Sequence, residues 1–507
     1  MYWTKTITGS ERSSQNNLTK TSFQYYMKFY CVLGLFLVAQ TLVCATKTLA
    51  VTYQVRKKPH KYYVSVNGSD NNTGSISAPF QTINAALNLA EPGDQVVVRG
   101  GTYHQQVKFT KSGTPGKPIS LQSYPKEKPV IDGSKIAVTG WQALITINNV
   151  SWVTIDGFDI CNLHSSVVST DPQGIAIYGS GQQIVVKNCN IYNIKNNTTL
   201  AQGRSGHAIL AVGNGTMPIS NLSITGCTVH DTQTGTSENV TLAGNIDGFT
   251  FSNNKVYDTE NIGVIVAGGD GLNPNGAIAT NYARNGIISN NIFHHNTMTK
   301  TPETWGADRY GAISIYVCGG ANTLIENNIV YESDRGIGLV SESNIYSTRT
   351  TTVRNNLIYN CYRAGIYLGD YLNYTISGTK NCSILNNTLF QNNRVLGAFG
   401  EIEGEIRLTE HCDSNVIRHN RVYAGPQDVL LHKYTSTGSD NLIDHNSYFS
   451  TGQPQWIWNS TNGNPITDFE AWKKSSGQDN NSTFKTVNSK FYANRLKKWK
   501  RSLPSKI

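Results

Sequence analysis

The chain has 507 residues, of which only 15% are charged and 46 are glycine, and its 43 Lys+Arg against 33 Asp+Glu give a formal net charge of +10. Gly and the abundant, often doubled Asn are poor helix formers, which argues against a helical protein and suits a fold with many tight turns at positive φ. Part of the basic excess sits in two flanking runs, Arg56 to Lys61 and Lys497 to Arg501. Like-charge runs of that kind are solvated tails, so the charge is no argument for nucleic acid, while a basic surface remains compatible with an acidic polysaccharide.

In chain order, residues 1–26 read as an N-terminal extension. Residues 27–45 have the layout of an export signal: Met27-Lys28, the apolar run Cys31 to Cys44, then Ala45. That run is short of the ~20 residues of a membrane span. A cleaved signal, with translation from Met27, is therefore favoured over a signal anchor, and no stable membrane span is expected unless the segment is retained. The expectation is a secreted, extracellular monomer, with sequons such as Asn67 and Asn149 as candidate glycan sites. Cysteines beyond the signal are odd in number (Cys161, Cys189, Cys227, Cys318, Cys361, Cys382, Cys412) and match no zinc spacing. They read as small coil residues with at most one or two disulfides.

Residues 60–450 carry an internal repeat. It opens with a predicted strand at Tyr62 to Val66 and a short helix whose apolar stripe is Ile83, Ala86 and Leu87, stopped by Pro92-Gly93. From there the unit is an apolar alternation, an Asn pair, then an aliphatic-aromatic pair, as in Leu324-Ile-Glu-Asn-Asn-Ile-Val-Tyr331 and Val353-Arg-Asn-Asn-Leu-Ile-Tyr359. The second residue of the pair recurs at Asn254, Asn291, Asn328, Asn356, Asn387, Asn420 and Asn446, with spacings of 37, 37, 28, 31, 33 and 26. Period-2 alternation makes these strands. Coils of three short strands fit the spacing, with the Asn pair at a bend and its side chains stacked along the axis. A propeller would need hairpin signals at every blade, and they are not regular here. The fold expected is an all-β, right-handed parallel β-helix solenoid with a short N-terminal capping helix. Residues 451–507 are expected to form a C-terminal cap and basic tail.

The segments Tyr63-Val-Ser-Val-Asn-Gly-Ser-Asp70, Pro79-Phe-Gln-Thr-Ile83, Pro92-Gly-Asp94 and Arg99-Gly-Gly-Thr-Tyr103 resemble the entry to secreted members of the pectate-lyase-like (pectin lyase fold) superfamily. That resemblance spans about residues 60–450. It implies a carbohydrate-active protein: a polyuronate lyase, a glycoside hydrolase, an epimerase or a binding-only member. Fold alone does not choose among them.

A second strand in each coil begins at Gly263, Ala312, Gly336, Gly365, Glu405 and Asp428. With Ile337, Ile366, Ile406 and Val429 taken as inward, Gly338, Tyr367, Arg407 and Leu430 face out, and charged residues gather at both ends of this face. The leading expectation is a lyase acting by β-elimination on an acidic polysaccharide. Arg407 or Lys433 is the candidate base, Arg335 and Arg363 the carboxylate clamps, and Tyr316 and Tyr367 the sugar-stacking rings. Glu342, Asp370 and Glu410 are the candidate ligands of a cation such as Ca2+. Thr409-Glu410-His411 stands where the related lyases would place a lysine. A hydrolase would instead pair Asp370 with Glu342 or Glu410, and a non-catalytic glycan-binding solenoid is the third reading. His207 and His230 read as packing residues, and His294-His295 lacks a third metal ligand at a useful spacing.

Overall fold

The computed structural model describes residues 58–502, except 200–203, 269–270, 371–374, 396–400 and 462–464. The expected extension and export signal, 1–26 and 27–45, lie outside the described residues.

From Pro59 onward the chain forms one compact unit of short strands in three long parallel sheets, with one further two-stranded pair, His164–Ser165 with Lys195–Asn196. Sheet 1 has 17 strands, sheet 2 has 12 and sheet 3 has 13 among the described residues. One coil shows the pattern: Ala321–Glu326 in sheet 1, Ile329–Tyr331 in sheet 3, Arg335–Ser341 in sheet 2, then Thr352–Arg354 back in sheet 1. Each strand pairs in parallel with its counterpart one coil on, as Ile325 does with Val353 and Ile337 with Ile366. The expected parallel β-helix is therefore the observed fold, and right-handed crossovers are the rule for such connections.

The Asn pairs do what their position requires. Asn253, Asn290, Asn327, Asn355 and Asn386 all have φ of 56–57°, a left-handed conformation that Asn tolerates. This turns the chain from sheet 1 into sheet 3 without any further residue. The second Asn points inward and bonds its neighbour one coil on. From Asn254 to Asn446 each Nδ2 donates to the next Oδ1 at 2.9–3.1 Å. The same Oδ1 atoms accept the backbone N–H of the preceding Asn. Buried amides at a bend would otherwise be left unpaired.

Aliphatic side chains from the three sheets fill the interior, for instance Ile325, Val330, Ile337 and Leu339. At the N-terminal end the helix Ile83–Leu89, capped by Thr82 accepting from the Ala85 N–H, buries Ile83, Ala86 and Leu87 as expected. At the other end the sheets run past residue 450: Gln455–Trp458 joins sheet 2 and Thr483–Thr486 joins sheet 3. The helix Phe469–Ser476 then closes the core with Trp472, whose Nε1 donates to Asp479. All seven described cysteines are buried and unbridged. No helix among the described residues is long and apolar enough to cross a membrane.

Candidate active site on the outer face of sheet 2

Strands of sheet 2 are buried on both faces: His207–Gly213, Val240–Gly244, Val264–Ala267, Ile313–Cys318, Arg335–Ser341 and Ile366–Asp370 have scarcely an exposed residue. Alternate residues face the solenoid core. The others face outward beneath the connecting loops, where Ala243, Ile265, Tyr316, Cys318, Val340 and Tyr367 make a separate apolar cluster. Polar and charged groups project into this covered space, and they divide into three groups along the solenoid.

The first surrounds a cavity of about 270 Å3 lined by His207, Glu238, Ile265, Leu272, Cys318 and Glu342, among others, near the lower end of ligand pockets at ~300 Å3. Ile209 pairs with Val240, so counting two places back sets Glu238 beside His207 on the adjacent coil. The His207 Nδ1 lies 3.1 Å from an Asp171 carboxylate oxygen, both buried. Burial pushes the Glu238 carboxyl up to about 7; His207 and the Thr241 hydroxyl oppose that rise, and the charge of Glu342 adds to it. The exposed Glu342 accepts a hydrogen bond of 2.7 Å from the Tyr316 hydroxyl. A carboxyl poised between its two protonation states, a second carboxylate and an Asp-oriented imidazole thus share one cavity, a set suited to general acid–base chemistry.

The second group is an ion cage two strands away. Arg335, Arg363 and Arg407 all reach Glu403, at 2.7, 2.6 and 2.6 Å, and Arg363 and Arg407 also reach Glu401, at 2.5 and 2.7 Å. All three guanidinium groups are buried. This corrects two sequence expectations. As uronate clamps Arg335 and Arg363 are already occupied, because Glu401 and Glu403 fill their forks. As sugar platforms Tyr316 and Tyr367 are covered: both are buried, and the Arg335 and Arg407 guanidinium carbons lie 5.0 and 5.1 Å from the Tyr367 ring centre. Nor do the surroundings of Arg407 suit a base. Burial disfavours its charge, but the Tyr367 hydroxyl and the glutamates outweigh that and hold its pKa above the ordinary value.

Lys433 is turned elsewhere. Its ammonium donates to the Thr435 and Thr437 carbonyls and lies 5.6 Å from the Trp458 ring centre. The sequence alignment of this last coil was offset by two. Leu431, not Val429, pairs with Ile406, and His432, not Leu430, stands beside Arg407. The reason is local: Leu430 and Leu431 both enter the inner core, which breaks the alternation.

The third group is Asp370, Glu410 and His411, at the far end of the same strands. Asp370 follows from the pairing of its strand with Arg335–Ser341, in which Ser341 stands opposite it. Its Oδ2 lies 2.7 Å from the His411 Nδ1, and burial raises its pKa to about 6 against the opposing effect of His411. Of the three expected cation ligands, the structure thus brings Asp370 and Glu410 together and leaves Glu342 in the cavity. On sheet 3, His294 and His295 do meet a third potential ligand, Asp258 of the preceding coil, a proximity that linear spacing hides.

Sequence reasoning did not single out Glu238, and it read His207 as a packing residue. The available signal was the position of Glu238-Asn239 just before the apolar Val240-Thr-Leu-Ala243, 31 residues after His207.

A model of the Pel9A-like right-handed β-helix region matches residues 62–287, and one of the right-handed β-helix region matches 244–388. The uncharacterized protein YwoF of Bacillus subtilis (strain 168) is 33% identical over 425 residues, which cover 83% of this chain and 87% of that protein. The chain belongs to the right-handed β-helix proteins of pectin lyase-like fold. Pectate lyase PEL9 of Emericella nidulans is 42% identical over 79 residues, covering 15% of this chain and 19% of that protein. Among solved structures, the GH136 lacto-N-biosidase from Eubacterium ramulus superposes with a TM-score of 0.47 at 13% identity over 85% of this chain and 67% of that one. Pectate lyase Pel9A gives 0.31 at 15% identity, over 80% and 78% of the two chains.

Proposed function

We propose that this β-helix protein is an extracellular carbohydrate-active enzyme that cleaves a polysaccharide at the cavity beside sheet 2 that Glu238 and Glu342 line. The observation that carries this reading is the meeting of Glu238, Glu342 and the Asp171-bonded His207 around one cavity, where burial pushes the Glu238 carboxyl up to about 7. Hydrolysis of a glycosidic bond needs one carboxylic acid to protonate the leaving oxygen and one carboxylate to act as base or nucleophile. Glu238 fits the acid and Glu342 the carboxylate. His207, held by Asp171, lies on the coil next to Glu238 and steadies its ionised form once the proton has left. The described residues that line the cavity include no Lys or Arg, which favours a neutral sugar at the cleavage point over the acidic one expected from sequence.

β-Elimination from a uronide is the second reading, favoured by the Pel9A-like match across 62–287, the stretch that holds His207 and Glu238. In that case the Asp171-oriented His207 is the base and the protonated Glu238 neutralises the uronate carboxylate by hydrogen bonding.

A panel of neutral and uronic polysaccharides separates these chemistries. New reducing ends without absorbance near ~230 nm indicate hydrolysis, and the absorbance of an unsaturated product indicates elimination. Glu238→Gln is expected to lower turnover by at least ~100-fold with the fold intact. Retention on immobilised glycan with neither product would overturn both in favour of a binding protein.

A further inference from the structure

We propose that Asp370, Glu410 and His411 bind a divalent transition-metal ion of the zinc or manganese class, and not Ca2+. One ligand atom from each residue lies within 4.8 Å of the others. The cluster is enclosed: Asp370 is fully buried and Glu410 is buried, while His411 reaches the surface. Asp370 supplies an independent sign of a missing partner. Its Oδ2 faces the His411 Nδ1, whereas its Oδ1 is buried with no hydrogen-bond partner among the described residues. A buried carboxylate oxygen left bare costs desolvation energy that a cation would recover.

The backbone is shaped to make this meeting. Gly369 has φ +117°, and a Cβ there would lie 2.7 Å from the Glu410 carbonyl oxygen, so only glycine lets the Glu410 segment come so close to Asp370. His411 itself is left-handed, with φ 48°, and its Nδ1 lies 2.7 Å from the Asp370 carboxylate.

The donor set decides the ion class. Ca2+ takes six to eight oxygen ligands, whereas an imidazole with two carboxylates suits zinc-like ions and leaves a coordination position open. An ion here would stand one coil along from Glu342, because Ser341 pairs with Asp370. The inference does not depend on which bond the cavity breaks.

The test is calorimetric titration of the full-length, chelator-stripped protein with Zn2+, Mn2+ and Ca2+, together with metal analysis after dialysis. One equivalent of Zn2+ or Mn2+ should bind with a rise in Tm, and Ca2+ at least ~10-fold more weakly. His411→Gln, at a partly exposed residue, should weaken that site at least ~10-fold, and Asp370→Asn should do the same. His295→Gln, in the other histidine cluster, should leave it unchanged. Failure of Zn2+ and Mn2+ to bind, tighter binding of Ca2+, or binding that survives His411→Gln and vanishes in His295→Gln would each overturn the proposal.

Discussion

The asparagine ladder, at the turn from sheet 1 into sheet 3, and the outer face of sheet 2 both run along one solenoid and are built on opposite principles. In the ladder the same residue recurs on coil after coil, and each side chain is bonded above and below. On the outer face of sheet 2 the residue changes with every coil: Ile265, Tyr316, Gly338, Tyr367, Arg407, His432. On this face and at the turns leading into its strands lie most of the raised carboxyl pKa values and several buried atoms without partners, among them Asp370 Oδ1, Glu405 Oε1 and Arg407 Nη2. Repetition marks what holds the coils together. Where it breaks down while burial persists, desolvated groups are retained at a cost in stability, and such places are where functional sites are to be sought.

The sharpest way to break this contrast is inside the ion cage. Glu403→Gln removes the carboxylate shared by three buried guanidinium groups and should destabilise the protein by about 3–5 kcal/mol, read from the midpoint of denaturant unfolding. In the ladder, Asn328→Ala strips partners from the Asn291 N–H and the Ile288 carbonyl, and the same measurement should show a loss of about 2–3 kcal/mol. Its neighbour Asn327, left-handed and outside the ladder, should tolerate Gly to within ~0.5 kcal/mol.

pH sharpens the comparison further. Burial raises Glu405 from 4.5 to about 8 and Asp334 from 3.8 to about 7. A carboxyl whose folded pKa lies above its unfolded value binds more protons when folded, so its contribution is full below the unfolded pKa and fades as pH rises through the folded one. The contribution of these two carboxyls to the unfolding free energy should therefore decline between about pH 4 and pH 8. Glu405→Gln should flatten the part of that slope between its two pKa values, whereas Asn328→Ala should lower the whole curve without changing its slope. A small effect is also expected for Tyr316→Phe, which removes one hydrogen bond to an exposed carboxylate: about 1 kcal/mol or less in stability.

These two regions were also unequally legible in the sequence. The ladder could be read because a doubled Asn, spaced by coil lengths, has one physical explanation: a left-handed turn followed by an inward amide. The N-terminal helix was equally plain from the spacing of Ile83, Ala86 and Leu87. The site was half legible. Alternation placed Tyr367 and Arg407 on the outer face but could not reveal that Glu401 and Glu403, just upstream, fold back over the arginines. Register failed at Val429, where two consecutive leucines turn inward. His207 looked like packing because Ala208-Ile-Leu-Ala211 surround it, and its partner Glu238 lies on a coil before the first one aligned for sheet 2. A site formed by single residues from coils about 30 to 100 positions apart leaves no period to detect.

The central claim is that Glu238 is the proton donor in a glycan-cleaving cavity. The most direct test is the pH dependence of kcat/KM on a polysaccharide the enzyme cleaves. For the native protein the rate should fall as pH rises above about 7, where Glu238 loses its proton, and Glu238→Gln should abolish that limb along with most of the activity. A limb near pH 7 that persists in Glu238→Gln, at an undiminished rate, would contradict the account.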